Sequence, residues 1–521
     1  MTQAAPQAAP QAAPQAAPHA APSVSPLIQL TAPGRLVRPG SILLLSCYEL
    51  GHQPLSLAGP IGVLREAGFH PRAVDLAVEE LDDATIRAAR LIVISVPMHT
   101  AMRLGSRVLS RIRDLGSTAH VAFFGLYAEL NAGYLLGAGA SGVIGGEYEI
   151  PLRELARHIH AGLPVTAGAV PGVRVDHRPA AAVVERPVFP APVRDALPAL
   201  RSYAGFERDG VIISAGYVEA TRGCHHTCSH CPITPVYGGS LVVVPRDTVL
   251  ADIATQIEAG ARHITFGDPD FFNGPAHSLR IARVMHERWP NVSFDATIKI
   301  EHLLEHRRRL PELAELGCAF VVSAVESLNG EALRRMKKGH SAADVEEAIG
   351  LLDAVGIPMR PSLLPFSPWE TLESYLELLR FMARLGMQAN IDPVHYGIRL
   401  LVPPGSAVLD DPDAASWIGP LDPEAFSYTW IHPDPRMQRL AHEVSAAAER
   451  GAREMEPAEE TFVAIWTAAH AAAGGEVPPV PETRVTRPKP PRLTETWFCC
   501  AEPTAEQFDA LTRRPAKSDP V

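Results

Sequence analysis

Three cysteines fall within eight residues, in the stretch Glu219-Ala220-Thr221-Arg222-Gly223-Cys224-His225-His226-Thr227-Cys228-Ser229-His230-Cys231-Pro232. The C-x3-C-x2-C spacing is too tight to tie distant parts of a domain together, but three such thiols can wrap one small metal centre. Thiolate is the preferred protein ligand of iron–sulfur clusters. Three cysteines on a four-iron cube leave one iron without a protein ligand, and an open metal position can bind and activate a small molecule. The competing reading is a zinc knuckle completed by His225, His226 or His230. The run Gly210 to Glu219 reads as a strand leading straight into the loop, which a zinc knuckle does not need.

The chain has 521 residues, enough for two to four domains. Acids outnumber bases by 58 to 47 and no Lys/Arg-rich run stands out, which argues against a nucleic-acid surface. Seven cysteines in so long a chain do not make a disulfide framework and suit metal chemistry in a reducing cytoplasm. No run of about 18 apolar residues predicts a membrane span. Residues 2–25 repeat Ala-Ala-Pro-Gln, and proline every fourth residue blocks helix and sheet alike. With no basic start and no apolar core, residues 1–39 read as a disordered Ala/Pro/Gln tail rather than a secretory signal.

Residues 40–165 alternate apolar strands and helices. Strands are predicted at Ser41–Ser46, Pro71–Leu76, Leu91–Val96, His120–Gly125 and Gly142–Gly146, with helices over Leu55–Ala67, Ala84–Ala89 and Ala101–Leu115. This pattern predicts a doubly wound parallel sheet. Its ligand crevice belongs at the strand C-terminal ends, where Cys47, Tyr48, Glu49, His52, Met98, His99, Thr100, Tyr127 and Glu147 fall. His52 and His99, as single histidines, read as hydrogen-bonding residues rather than metal ligands. Residues 166–207 are Pro-rich and read as a linker.

Residues 208–405 continue the alternation, with strands at 210–219, His263–Asp268, Ser293–Lys299, Cys318–Val325, Ile357–Leu364 and Asn390–Leu401. Six strands with intervening helices predict a partial (β/α)6 barrel, whose chemistry gathers at the C-terminal mouth. Cys318, inside an apolar strand, reads as a buried small hydrophobe. Residues 406–521 are predicted to be mostly helical, with helices at Pro435–Ala448 and Ala458–Ala473 and a Pro-rich stretch at 476–493.

The cysteine loop after a first barrel strand resembles the radical S-adenosylmethionine (SAM) superfamily. The resemblance implies a [4Fe-4S] cluster on Cys224, Cys228 and Cys231, whose open iron chelates SAM and reduces it to methionine and a 5′-deoxyadenosyl radical. It further implies that Gly267, Asp268 and Asp270 sit where the family binds the SAM amino group. Lys299, Glu326 and Ser327 end strands where ribose and carboxylate contacts are expected. Arg360 and Arg399 offer a planar fork for the SAM carboxylate. An α/β domain ahead of such a barrel resembles the cobalamin-binding type of these enzymes, as does the segment from Glu326 to His340. The D-x-H-x-x-G signature is absent, which leaves cobalamin open. An electron donor such as flavodoxin or ferredoxin and a small-molecule substrate are the implied partners.

The segment Trp497-Phe498-Cys499-Cys500-Ala501-Glu502-Pro503 resembles radical SAM (seleno)proteins with a CUAEP or CCAEP tail. Adjacent cysteines rarely pair with each other, because the small ring strains the peptide. They suit a soft substrate or redox resolution, and Cys499 and Cys500 are the candidate catalytic pair. Packing beside Trp497 is the bland reading. Three functions stay open: radical modification of a small molecule, 3-amino-3-carboxypropyl transfer from SAM to arsenic on the cysteine pair, and a non-catalytic zinc- or metalloid-binding protein.

Overall fold

Ile42 to Ser46 form a strand, β1, in which all five residues are buried. Alternate side chains of such a strand face opposite ways, so both faces need cover. Leu43 and Leu45 enter one core with Met102, Val108 and Ile112 of helix His99–Asp114. Ile42 and Leu44 enter another with Leu57, Ile61 and Leu64 of helix Leu55–Glu66. The computed structural model describes residues 36–512 except 184, 483, 484, 486, 488, 496, 498 and 499. The repetitive N-terminal stretch and Cys499 therefore lie outside the described residues.

The first sheet runs β2 (Arg72–Asp75), β1, β3 (Leu91–Ser95), β4 (His120–Phe124), β5 (Gly142–Ile144) and β6 (Val173–Arg174). β1 to β5 pair in parallel, and β6 closes the edge antiparallel to β5. The strand order reverses between β1 and β3, the switch point at which open α/β sheets place their ligands. β6 comes from the stretch expected to be a linker; Val173 is buried and pairs with Ile144.

The second sheet begins with β7 (Gly205–Arg208) and β8 (Val211–Val218), followed by a short hairpin of β9 (Thr221–Gly223) and β10 (Leu241–Val243). β8 then pairs in parallel through β11 (His263–Phe266), β12 (Ser293–Thr297), β13 (Cys318–Glu326) and β14 (Met359–Leu363). Five parallel strands form a curled half-barrel, with β7 antiparallel at the open edge. The strand expected at Asn390–Leu401 is reduced to one parallel bridge, Phe366 to Arg399, between 3-10 turns at Gln388–Asn390 and Pro393–Gly397 and the following loop. Pro393 has no amide proton for a ladder, which explains the shortening.

Helices Pro435–Glu454 and Ala458–Ala473 pack their apolar faces on the half-barrel core. A hairpin of β15 (Ile418–Asp422) and β16 (Ser427–Trp430) precedes them, and no sequence signal announced it. The Pro-rich stretch ends as β17 (Arg492–Leu493), which joins β7 at the edge of the second sheet. Among the described residues, no helix is long and apolar enough to cross a membrane.

Two carboxyls, the buried Asp75 and the half-buried Glu49, stand at the first sheet's C-terminal edge. Burial pushes Glu49 up to about 8, with Asp75 and Glu219 adding repulsion against the lowering hydrogen bond from Ser56. Burial likewise pushes Asp75, 1% exposed, up to about 6. Each folded carboxyl holds its proton longer than the unfolded one, so the stability each provides is full below the unfolded value and is lost as pH rises. The thermal midpoint should therefore fall between pH 5 and 8, and Glu49→Gln should flatten the part of that fall above about pH 6. A Glu49→Gln protein with the wild-type slope would show that Glu49 is ionised in the fold.

Candidate active site

β9 delivers the cysteine loop, and four groups fix it. Arg222, on β9, is largely buried between the domains. Its guanidinium donates to Glu147 at 2.9 Å, Glu149 at 2.8 Å and Glu219 at 3.1 Å, and to the Tyr148 hydroxyl at 3.2 Å. It also lies over the rings of Tyr148 and Phe189. Glu147, Tyr148 and Glu149 follow β5, so the first sheet's C-terminal edge grips the loop directly. Asp268, just past β11, accepts from the Ala220 amide at 2.9 Å and the Thr221 hydroxyl at 2.5 Å. Ser229 donates through its amide to the Met336 carbonyl at 3.1 Å and through its hydroxyl to Arg335 at 2.7 Å. Gly223 has φ +78° and sits against Ser240 and Tyr237, where a Cβ has no room.

The thiols themselves are partly enclosed. Burial raises Cys224, and pushes Cys231 up to about 12. Asn273 donates to the Cys224 sulfur at 3.4 Å, and its oxygen accepts the His225 amide at 3.3 Å. Lys338 is buried, and its charge faces Cys228 and Cys231. A positive group and an amide donor beside three thiols fit a bound thiolate cluster, since they offset its negative charge.

The zinc-knuckle alternative needs a loop histidine beside the cysteines. None is placed so. His225 turns to the Gly239 carbonyl at 3.3 Å, His226 to Lys299 and His302 at 3.2 Å each, and His230 to Glu326 at 3.3 Å. Among the described residues, the ligand groups that converge within 4.8 Å are His226-Asp270-His302 and His302-Glu305-His306; neither includes a cysteine.

The proposed SAM contacts divide into three sets. Asp270 and Lys299 stand together: Asp270 accepts the Phe272 amide at 2.9 Å and pairs with His302 at 2.8 Å, while Lys299 donates to Glu301 at 2.8 Å. Glu326, at the end of β13 with φ +62°, pairs with Lys338 at 3.1 Å. Burial alone would raise its carboxyl, but Lys338 and His230 hold it well below the usual carboxylate range. Gly267 and Asp268 serve the backbone, since the Tyr217 ring covers Gly267 and Asp268 clamps the loop. Ser327 donates to Glu370. Arg360 lies opposite Val322, four residues short of the β13 end, and is bonded to Asp392 at 2.7 Å. Arg399 stacks over Trp430 with 4.3 Å to the ring centroid. These last three are engaged with protein partners of their own.

Lys338, Asn273, Arg222 and Glu147 complete the site. Glu147 stood among the strand-end residues, and Lys338 lies in the Met336-Lys337-Lys338-Gly339-His340 segment, but nothing in the spacing separates it from Lys337. His52 stacks on Tyr217 at 4.6 Å, and His99 bonds to Glu502 at 3.1 Å. A cavity of about 740 Å³ opens at the ends of β1 and β2, with Cys47, Tyr48, Tyr203, Arg453 and Trp497 among its walls.

Breaking one partner of the buried Glu326–Lys338 pair strands a charge. Lys338→Met should lower the unfolding free energy by about 3–5 kcal/mol, and adding Glu326→Gln should return at least half of it. Urea denaturation measures both; a loss of less than about 1 kcal/mol would mean that water reaches the pair.

Residues 218–382 match the family model of the radical SAM superfamily. The tRNA-2-methylthio-N(6)-dimethylallyladenosine synthase of Halorhodospira halophila is 27% identical over 251 residues, 45% of this chain and 48% of that protein. The hopanoid C-3 methylase of Methylococcus capsulatus is 24% identical over 179 residues, 34% of this chain and 33% of that protein. The chain thus spans about half or less of the length of these curated relatives. In fold it is similar to the cobalamin-dependent S-adenosylmethionine radical enzyme OxsB with aqua-cobalamin bound, at TM-score 0.64 and 15% identity over 82% of this chain and 72% of that one. It is also similar to the radical S-adenosylmethionine methyltransferase TsrM from Kitasatospora setae with tryptophan and a SAM analogue bound, at TM-score 0.57 and 18% identity over 78% and 89%. Residues 218–382 therefore match the radical SAM superfamily model, and the chain, with its N-terminal parallel sheet, shares the fold of OxsB and TsrM.

Proposed function

We propose that this chain is a [4Fe-4S] radical SAM enzyme that modifies a small molecule. The observation that carries this reading is the cysteine loop, which leaves the first parallel strand of the half-barrel with all of its histidines turned to other partners. Cys224, Cys228 and Cys231 would hold the cluster, which when bound supplies the electron that cleaves SAM. Asn273 and Lys338 would steady the thiolates. Asp270 and Lys299 on one side of the loop, and Glu326 on the other, are the rim groups best placed for the polar ends of SAM. Asp268 orders the loop, so its role would be indirect. Arg360, Arg399 and Ser327 keep protein partners in this reading.

The cavity at the ends of β1 and β2 supports cobalamin as a second cofactor, held without a histidine ligand, since no histidine lines it among the described residues. The Cys-Cys-Ala-Glu-Pro tail supports membership of the CCAEP-tail group, with Cys500 presenting or redox-buffering a soft substrate. Residues 40–165, 208–405 and 406–521 would act as three units, with an electron donor such as flavodoxin or ferredoxin meeting the cluster in the cytoplasm.

Anaerobic reconstitution with iron and sulfide, followed by SAM and dithionite, tests this. Wild-type protein should take up iron and sulfide in equal amounts and release 5′-deoxyadenosine, and Cys228→Ala should lose both. Methylthioadenosine would point instead to aminocarboxypropyl transfer. Bound zinc without iron or sulfide would overturn the enzyme reading.

A further inference from the structure

The C-terminal segment crosses from one domain to the other. β17 pins it to the half-barrel edge, where the Thr494 amide donates to the Gly205 carbonyl at 2.9 Å. Next it passes Gly51, where a Cβ would come within 2.9 Å of Glu495. Gly51 has φ +70° and no side chain, so the segment can lie flat against the end of β1. It then docks on the first turns of helix His99–Asp114, which follows β3. Thr100, fully buried, donates its hydroxyl to the Ala501 carbonyl at 2.9 Å. The Glu502 carboxylate bonds to His99 Nε2 at 3.1 Å through one oxygen, and its other oxygen forms an ion pair with Arg103, 3.1 Å from Nε. Burial would raise this carboxyl, but His99 and Arg103 hold it below its ordinary value. The Trp497 indole donates to the Glu502 carbonyl at 2.9 Å, which brings these two residues together. Further on, Arg111 donates to the Leu511 carbonyl at 3.3 Å.

Cys500 lies immediately before the residue held by Thr100. It is half-buried and forms no disulfide. Ala501 packs in one apolar cluster with Ala332 and Met336, and the Met336 carbonyl accepts the amide of Ser229 in the cysteine loop. Cys500 therefore adjoins a cluster that reaches the flank of the loop. The latch sits on the β3 side of the switch point between β1 and β3, where the first sheet would place its ligand.

We propose that His99, Thr100 and Arg103 are positioning residues for Cys500: by gripping Ala501 and Glu502 they hold its thiol in place beside the loop flank. This rests on the reading of Cys500 as the substrate-facing thiol. A free tail would sample many positions, and one bond to a carboxylate, one ion pair and one buried hydroxyl bond select one of them. The first domain thus contributes to the half-barrel's chemistry through the chain's own tail.

The test is the alkylation rate of Cys500 by iodoacetamide, read by peptide mass spectrometry in the anaerobically purified full chain on a Cys499→Ser background. Glu502→Gln and Thr100→Val should each raise the rate about tenfold. Thr100→Ser, which keeps the hydroxyl, should restore the protected rate, and the buried Cys47 and Cys318 should stay unlabelled throughout. The proposal fails if Cys500 reacts at the same rate in all four proteins, or if Thr100→Ser reacts as fast as Thr100→Val. The labelling needs no SAM and no turnover, so its outcome is separate from that of the SAM-cleavage assay.

Discussion

The Arg222 guanidinium holds the two halves of the molecule to the cysteine loop. It spends its donors on three carboxylates and a tyrosine hydroxyl, from the loop itself and from the end of β5. A buried guanidinium is costly without such a shell, and three carboxylates crowded together are costly without the guanidinium. Neither side can leave alone. The first sheet's C-terminal edge and the start of the cysteine loop are consequently fixed relative to each other, and any ligand of the first sheet would lie close to whatever the loop holds.

The same logic runs along the rest of the loop. Lys338 is buried because Glu326 neutralises it, and it then lends positive charge to Cys228 and Cys231. His226 and His230 are drawn to the carboxylate-bearing rims on either side of the loop. That diversion turns the loop's histidines away from its cysteines, a geometric fact that the motif spacing alone does not contain.

The tail extends this coupling. A half-barrel of five parallel strands has an open edge, and β7 with β17 covers it. With β17 paired there, Ala501 and Glu502 meet His99, Thr100 and Arg103 of the first domain. His99 is a histidine at a sheet's ligand edge that serves a carboxylate of its own chain.

Local pattern carries what is local. Continuous apolar runs such as Leu43-Leu44-Leu45 and Ile92-Val93-Ile94 determine buried parallel strands, because only a sheet covered on both faces buries both sides of a strand. The cysteine spacing brings three thiols into one short loop, and its place after a strand determines which end of the barrel holds that loop. What the sequence could not decide was partnership across distance. Lys337 and Lys338 are adjacent and alike, yet Lys338 is buried by Glu326, twelve residues earlier. Arg360 looked like a carboxylate binder and found Asp392 on a later turn. Arg222 meets Glu147 some seventy residues before it, and Thr100 meets Ala501 some four hundred residues after it. Periodicity fixes which side of its own element a residue faces, whereas the packing of whole domains alone chooses which charge or hydroxyl waits on the other side.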